Sequence, residues 1–232
     1  MRLNHYLAKA GVASRRKSDL LISEGRISVN GIIISELGVK IDENSDLIAL
    51  DGKSISYDKS EKKRYYLLNK PARTLTAVSD DRDRATVMDY ISNPKGLHPV
   101  GRLDYNTTGV LLITNDGELT NILIHPSNEV ERVYVAKLNR PVVANDLKKL
   151  KNGVILEDGL VNLLRFKQTG RREITLAIAE GRNREVKRLF EKIGLKAVRL
   201  HRQSFAGISE KGLRKGEFRE LKDREISALK GN

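Results

Sequence analysis

Pro99-Val100-Gly101-Arg102-Leu103-Asp104-Tyr105-Asn106-Thr107-Thr108-Gly109-Val110-Leu111-Leu112-Ile113-Thr114-Asn115-Asp116-Gly117 is the most informative stretch of the chain. Its apolar run over residues 110–113 reads as a core strand. Asp116-Gly117 is ordinary turn chemistry at the end of that strand. Residues 118–125 then take on the spacing of a helix. Asp104 lies in the loop before the strand, and loop acids more often bond local backbone than do chemistry.

The same alternation of short strands and helices extends on both sides. Further strands are expected over residues 65–68, 133–138, 154–156, 161–166, 174–179 and 197–200. Helices are expected over 145–152, ending at Gly153, and over 184–193, with Asn183 as cap and Gly194 as stop. Strands outnumber helices without regular strand-helix-strand alternation, so the fold class is α+β with a mixed, largely antiparallel sheet.

Toward the N-terminus the pattern differs. Leu3, Tyr6, Leu7 and Ala10 recur at helical spacing, Gly11 ends the run, and Ser14 caps a second helix carrying Leu20, Leu21 and Ile22. Asn30-Gly31 between two apolar triplets is a hairpin signal, because both turn residues must take positive φ. The polar segment around residues 56–63 has no periodicity. It divides the chain into a small two-helix-plus-hairpin domain (1–58), a linker (59–63) and a larger domain (64–232).

With 232 residues and a net charge of +13, the chain points to a polyanionic partner. Of that charge, +10 falls in residues 165–232, while residues 1–58 are neutral but carry six bases against two acids in their first 26 positions. A membrane protein is not expected, since no apolar run is long enough to span a bilayer. Residues 1–13 lack the continuous apolar segment of a signal peptide, so a cytoplasmic location is expected. The absence of cysteine excludes a disulfide framework, a thiolate zinc site and a cysteine nucleophile. His5, His98, His125 and His201 are scattered without metal-ligand spacing, and no metal site is expected. Charge alone leaves an RNA-binding assembly factor and a DNA-binding protein open beside an enzyme.

Two resemblances narrow this. Arg2-Leu3, Leu7, Ala13-Ser14-Arg15-Arg16, Ile22, Gly25 and Val29-Asn30-Gly31 resemble the small RNA-binding domain named after small-subunit ribosomal protein four. The resemblance implies that Arg15, Arg16 and Lys17 at a helix start meet phosphate. The opening stretch, with its Gly-Arg-Leu-Asp, Thr107, Gly109 and Thr-Asn-Asp-Gly, resembles the central signature of the bacterial ribosomal RNA pseudouridine synthases related to the small-subunit enzyme. Leu68-Asn69-Lys70-Pro71, Tyr134 and the run from Glu180 to Phe190 match as well, and the whole looks closest to the large-subunit branch of that family. The chain departs from the pattern where Ala72-Arg73 follow Lys70-Pro71 in place of the usual glycine, and where Glu185 and Lys187 stand for the frequent Gln and Arg.

The resemblance implies isomerisation of a uridine in ribosomal RNA, free or in an assembly intermediate, by a monomer without a cofactor. The base must leave its stack and be held in a dry pocket by stacking and edge hydrogen bonds. Asp104 is implied as the carboxylate, nucleophile or base, with Lys187 as the cation that keeps it ionised and Arg184 as the alternative one helical turn earlier. Tyr134 is implied as the ring that packs on the uracil. Arg102 is implied to fill the space of the flipped base or clamp a phosphate, and Lys70 to bind substrate.

Overall fold

The computed structural model describes residues 1–57 and 62–231, which form two compact units, Met1–Lys62 and Lys63–Asn232. Residues 59–61 of the expected linker lie outside the described residues.

The first unit opens with α1 (Leu3–Lys9) and α2 (Arg15–Ser23). Ser14 caps α2, its Oγ accepting from the Lys17 N–H at 3.3 Å. The strands β1 (Ile27–Val29), β2 (Ile32–Ile34), β3 (Ile48–Leu50) and β4 (Lys53–Ile55) form an antiparallel sheet in the order β2-β1-β3-β4. Asn30 and Gly31 both take left-handed φ, as the tight β1–β2 turn requires. Leu3, Leu7, Ile22, Ile27 and Ile48 close the core between helices and sheet.

The second unit is a mixed, largely antiparallel sheet flanked by helices. In chain order it contains β5 (Tyr65–Lys70), β6 (His98–Pro99), β7 (Thr108–Thr114), α3 (Gly117–Ile124), β8 (Arg132–Leu138) and α4 (Ala144–Lys151). The hairpin β9 (Ile155–Leu156) and β10 (Gly159–Leu160) precedes β11 (Leu163–Gly170), β12 (Glu173–Ile178) and α5 (Glu185–Lys192). β13 (Ala197–Phe205), β14 (Ile208–Ser209), β15 (Phe218–Glu220) and α6 (Asp223–Lys230) complete it. The main strand order is β11-β12-β8-β13-β7-β5-β15, with β14 on β13 and β6 on β7.

The apolar run of β7 is explained by cover on both faces of the sheet. Leu111 and Ile113 join the core formed with Val186, Leu189 and Phe190 of α5 and Leu150 of α4. Val110 and Leu112 face the second core, with Leu119 and Leu123 of α3 and Leu229 of α6. Full burial of such side chains contributes roughly 1.5–3 kcal/mol each.

Some expected elements move. The strand placed at 161–166 runs instead over Leu163–Gly170. It is an edge strand with mostly exposed side chains, so it carries little alternation for periodicity to detect. β13 continues past Leu200 to Phe205, and the polar β15 and α6 carried too little apolar signal to be expected. Arg73, where the usual glycine is absent, takes φ +59. The backbone thus keeps a left-handed turn with an arginine in it.

The two halves of the sheet meet where β7 and β13 pair in parallel, over His201–Thr108 and Arg202–Gly109. Gly109 has φ +108, and a Cβ there would lie 2.2 Å from the Arg202 carbonyl oxygen and 2.8 Å from its nitrogen. Only glycine lets these backbones approach. Gly109→Ala is therefore expected to cost more than about 3 kcal/mol, lowering the thermal unfolding midpoint by roughly 6–12 °C. A midpoint within about 2 °C of the parent would contradict this reading.

Candidate active site

The loop between β6 and β7 carries Asp104 and is tied down from beneath by Lys70, the last residue of β5. Lys70 is completely buried. Its ammonium donates to the carbonyl oxygens of Pro71 (3.1 Å), Asp104 (3.2 Å), Tyr105 (3.3 Å) and Thr107 (3.0 Å). Thr76 brackets the same loop, its hydroxyl donating to the Leu103 carbonyl at 2.8 Å and accepting from the Leu103 N–H at 3.2 Å. The Thr107 N–H closes the turn on the Asp104 carbonyl at 2.9 Å. The backbone around Asp104 is fixed, and its carboxylate is free to point outward.

That carboxylate meets Lys187, in the first turn of α5, with Nζ 2.5 Å from Oδ2. The lysine side chain is 16% exposed and the aspartate 32%, so the pair is only partly screened by solvent. The helix start that delivers Lys187 is itself anchored. Arg182 donates to the buried Glu185 carboxylate (3.0 Å) and to the Asp158, Gly159 and Leu160 carbonyls of the β9–β10 hairpin.

Asp104 opens onto a cavity whose walls include Tyr134, Leu200, Val186, Ile178, Arg184 and Arg202. Tyr134 comes from the middle of β8, paired with Leu176 on one side and Arg202 on the other. It is 8% exposed, its ring in the core and its edge at the cavity. The cavity thus joins a carboxylate with its cation, an aromatic ring, an apolar wall and buried arginines. Such a set can hold a flat, polar ring beside an acid.

The structure brings Asp104, Lys187, Tyr134 and Arg184 together. Arg184 does not stand one helical turn before Lys187, however: it is the cap of α5, in the left-handed conformation, and its guanidinium reaches Glu191 at 3.6 Å. Arg102 is exposed and does not line the cavity. Lys70 is a support under the loop, and all of it lies beneath the surface a substrate meets. Arg15, Arg16 and Lys17 are exposed at the start of α2. The second acid of the signature, the buried Asp116, has structural work: it accepts from the Glu118 and Leu119 N–H groups and from the Tyr65 hydroxyl at 2.8 Å.

Sequence reasoning passed over Thr107, Arg132 and Arg202 as site residues. For Arg132 the available signal was its position two residues before Tyr134 on one strand, hence on the same face. Among the described residues, no group of three or more His, Cys, Asp or Glu is placed to hold a metal ion. No helix among them is long and apolar enough to cross a membrane.

Comparison with known proteins gives this geometry its context. The family model described as RNA pseudouridylate synthase matches residues 64–192, and the S4 domain model matches residues 1–47. "Ribosomal large subunit pseudouridine synthase B" of Bacillus subtilis is 43% identical, over 99% of this chain and 95% of that protein. An "Uncharacterized RNA pseudouridine synthase" of Aquifex aeolicus is 40% identical, over 99% and 93%. A solved structure described as "Crystal structure of pseudouridylate synthase" has a TM-score of 0.70 at 28% identity, over 99% of both chains. The chain belongs to the RNA pseudouridylate synthase family: it is an RNA pseudouridine synthase with an S4 domain at its N-terminal end.

Proposed function

We propose that the protein converts a specific uridine of large-subunit ribosomal RNA to pseudouridine, and that Asp104 is the carboxylate that acts on the flipped-out nucleotide. The observation that carries this is the 2.5 Å contact of Asp104 with Lys187 at a cavity shared with Tyr134. The choice of RNA leans on the Bacillus subtilis relative, whose name specifies the large ribosomal subunit.

Pseudouridylation breaks the bond from uracil N1 to ribose C1′, turns the base and joins C5 to C1′. A proton leaves C5 and N1 gains one, so the product is an isomer and neither an oxidant nor a group donor is consumed. Lys187, 2.5 Å from Oδ2, orients the Asp104 carboxylate for its attack or proton abstraction. Tyr134 packs on the ring and stands where the C5 proton must be passed on. Arg184 contacts the nucleotide at the cavity, and Arg102 contacts RNA outside it. Arg15, Arg16 and Lys17 bind phosphate, where side-chain charge adds to the exposed N–H groups of a helix start. The protein works as a monomer in the cytoplasm, on ribosomal RNA or an assembly intermediate.

Asp104→Asn is expected to lower pseudouridine formation by about 10³-fold or more while RNA affinity, measured by filter binding, stays within about threefold. Nucleoside chromatography of digested RNA reads the product directly. Normal turnover by this variant would sink the assignment.

Lys187→Met leaves the carboxylate without its cation and should reduce kcat about 10²-fold. Lys187→Arg keeps the charge and should retain most of the activity. Equal losses in the two variants would remove the electrostatic role.

Lys70 sets a pH limit. Burial lowers its ammonium to about 8, opposed by the attraction of Asp104, with Lys187 and Arg202 adding to the lowering. Above that pH the amine loses a donor and its grip on the four carbonyls weakens, so turnover should decline with an apparent pKa near 8. The native chain releases this proton earlier than the unfolded chain, so the deprotonation of Lys70 adds to stability as pH rises between about 8 and 10.5. The decline is therefore one of kcat without loss of the folded state, checked by a pH–rate profile beside a circular-dichroism titration. An unchanged kcat up to pH 9.5 would contradict it.

A further inference from the structure

Two of the residues that line the cavity each have a buried polar atom without a hydrogen-bond partner, Arg202 at Nη2 and Thr107 at Oγ1. Buried polar groups in folded proteins are nearly always bonded, and an orphan at a cavity wall marks a place where a ligand completes the set. Arg202 also carries a charge. It is 2% exposed, its Nε donates to the Val110 carbonyl at 2.8 Å, and its guanidinium lies 4.7 Å from the centre of the Phe205 ring.

A second guanidinium, Arg132, lies 5.2 Å from the centre of the same ring. Its donors are used by the carbonyls of Val130, Ala179 and Leu123. Among the described residues neither arginine has a carboxylate within salt-bridge distance. Two buried cations without an anion are costly. Burial pushes both guanidinium groups below their ordinary range; Tyr134 leads in the other direction, through charge and a hydrogen bond for Arg202, while Glu185 and Glu180 add to it for Arg132. Arg202 is therefore the guanidinium of this cavity that no carboxylate influences, and its Nη2 is unpaired.

The reaction supplies a matching negative charge. When N1–C1′ breaks, its electron pair stays with the base, and the resulting uracil anion spreads its charge over N1 and the two carbonyl oxygens O2 and O4. If Asp104 adds to the ring first, the electrons pushed into the ring again reach a carbonyl oxygen. We propose that Arg202 is a further catalytic residue, whose Nη2 donates to a uracil carbonyl oxygen and stabilises the charge that the base acquires as it separates from the ribose. A fixed donor in a water-excluded site is most effective where charge develops. Thr107 Oγ1 is the second polar atom available to the ring. A cytosine, which presents an amino donor in place of O4, would set donor against donor if O4 is the atom bound.

This inference rests on the proposed role of the cavity, and its test keeps the two apart. Wild-type enzyme and Asp104→Asn are assayed on large-subunit RNA beside Arg202→Met, which keeps the stem packed on Phe205, and Arg202→Ala. Single-turnover rate, RNA affinity and unfolding midpoint are measured for each. The Met variant is expected to fold and bind RNA within about threefold of wild type, yet turn over about 10²–10³-fold more slowly. Guanidinium ion at tens of millimolar should restore the Ala variant at least about tenfold, where equal concentrations of urea or sodium do not. Turnover of the Met variant within about threefold of wild type overturns the proposal. So does a loss in both variants that follows RNA affinity or unfolding and is not relieved by guanidinium. Activity of Asp104→Asn, or none in wild type, would instead overturn the reading of the cavity.

Discussion

The close approach of β7 and β13 at Gly109 is the constraint from which the rest of the site follows. A side chain at residue 109 would collide with the Arg202 backbone, so a glycine there lets two parts of the sheet join in parallel within an otherwise antiparallel arrangement. The loop entering β7 carries Asp104, the helix before β13 carries Lys187, and the strand on the far side of β13 carries Tyr134. Residues separated by up to 83 positions reach one another because these strands do.

Charge at the site is arranged in layers with different work. Beneath the loop, Lys70 is spent on carbonyl oxygens and orients the backbone. At the mouth, Lys187 is paired with the carboxylate. At the same cavity, the buried Arg202 has no carboxylate within salt-bridge distance among the described residues. Unlike Lys70, whose ammonium is spent on carbonyls, Arg202 leaves a buried nitrogen unbonded, which is costly for a role in support alone. Retaining a buried cation with a free donor at a cavity is understandable where the bound molecule becomes negative during the reaction.

The α+β class, the Asn30-Gly31 hairpin and the buried β7 strand were legible because turn chemistry and apolar runs are local signals. Asp104, Tyr134 and Lys187 were legible through motif resemblance alone, since no periodicity links positions so far apart. Arg202 escaped because β13 was expected to end at Leu200. Continued to Phe205, the strand's alternation puts Leu200 and Arg202 on one face, both buried. Lys70 was expected to bind substrate through the motif resemblance of Leu68-Asn69-Lys70-Pro71. Its burial depends on three carbonyls brought in from a loop more than thirty residues away, which no local pattern reports. Arg184 was read as helical, but its left-handed φ starts the helix one residue later.

Whether this cavity isomerises a uridine of ribosomal RNA is decided by mapping the modification at nucleotide resolution. Large-subunit RNA transcribed without modification, free and in assembly intermediates, is incubated with the protein and probed by carbodiimide-dependent reverse-transcription stops. The account predicts a new stop at a single uridine of that RNA. Absence of any new stop on large- or small-subunit RNA would contradict it.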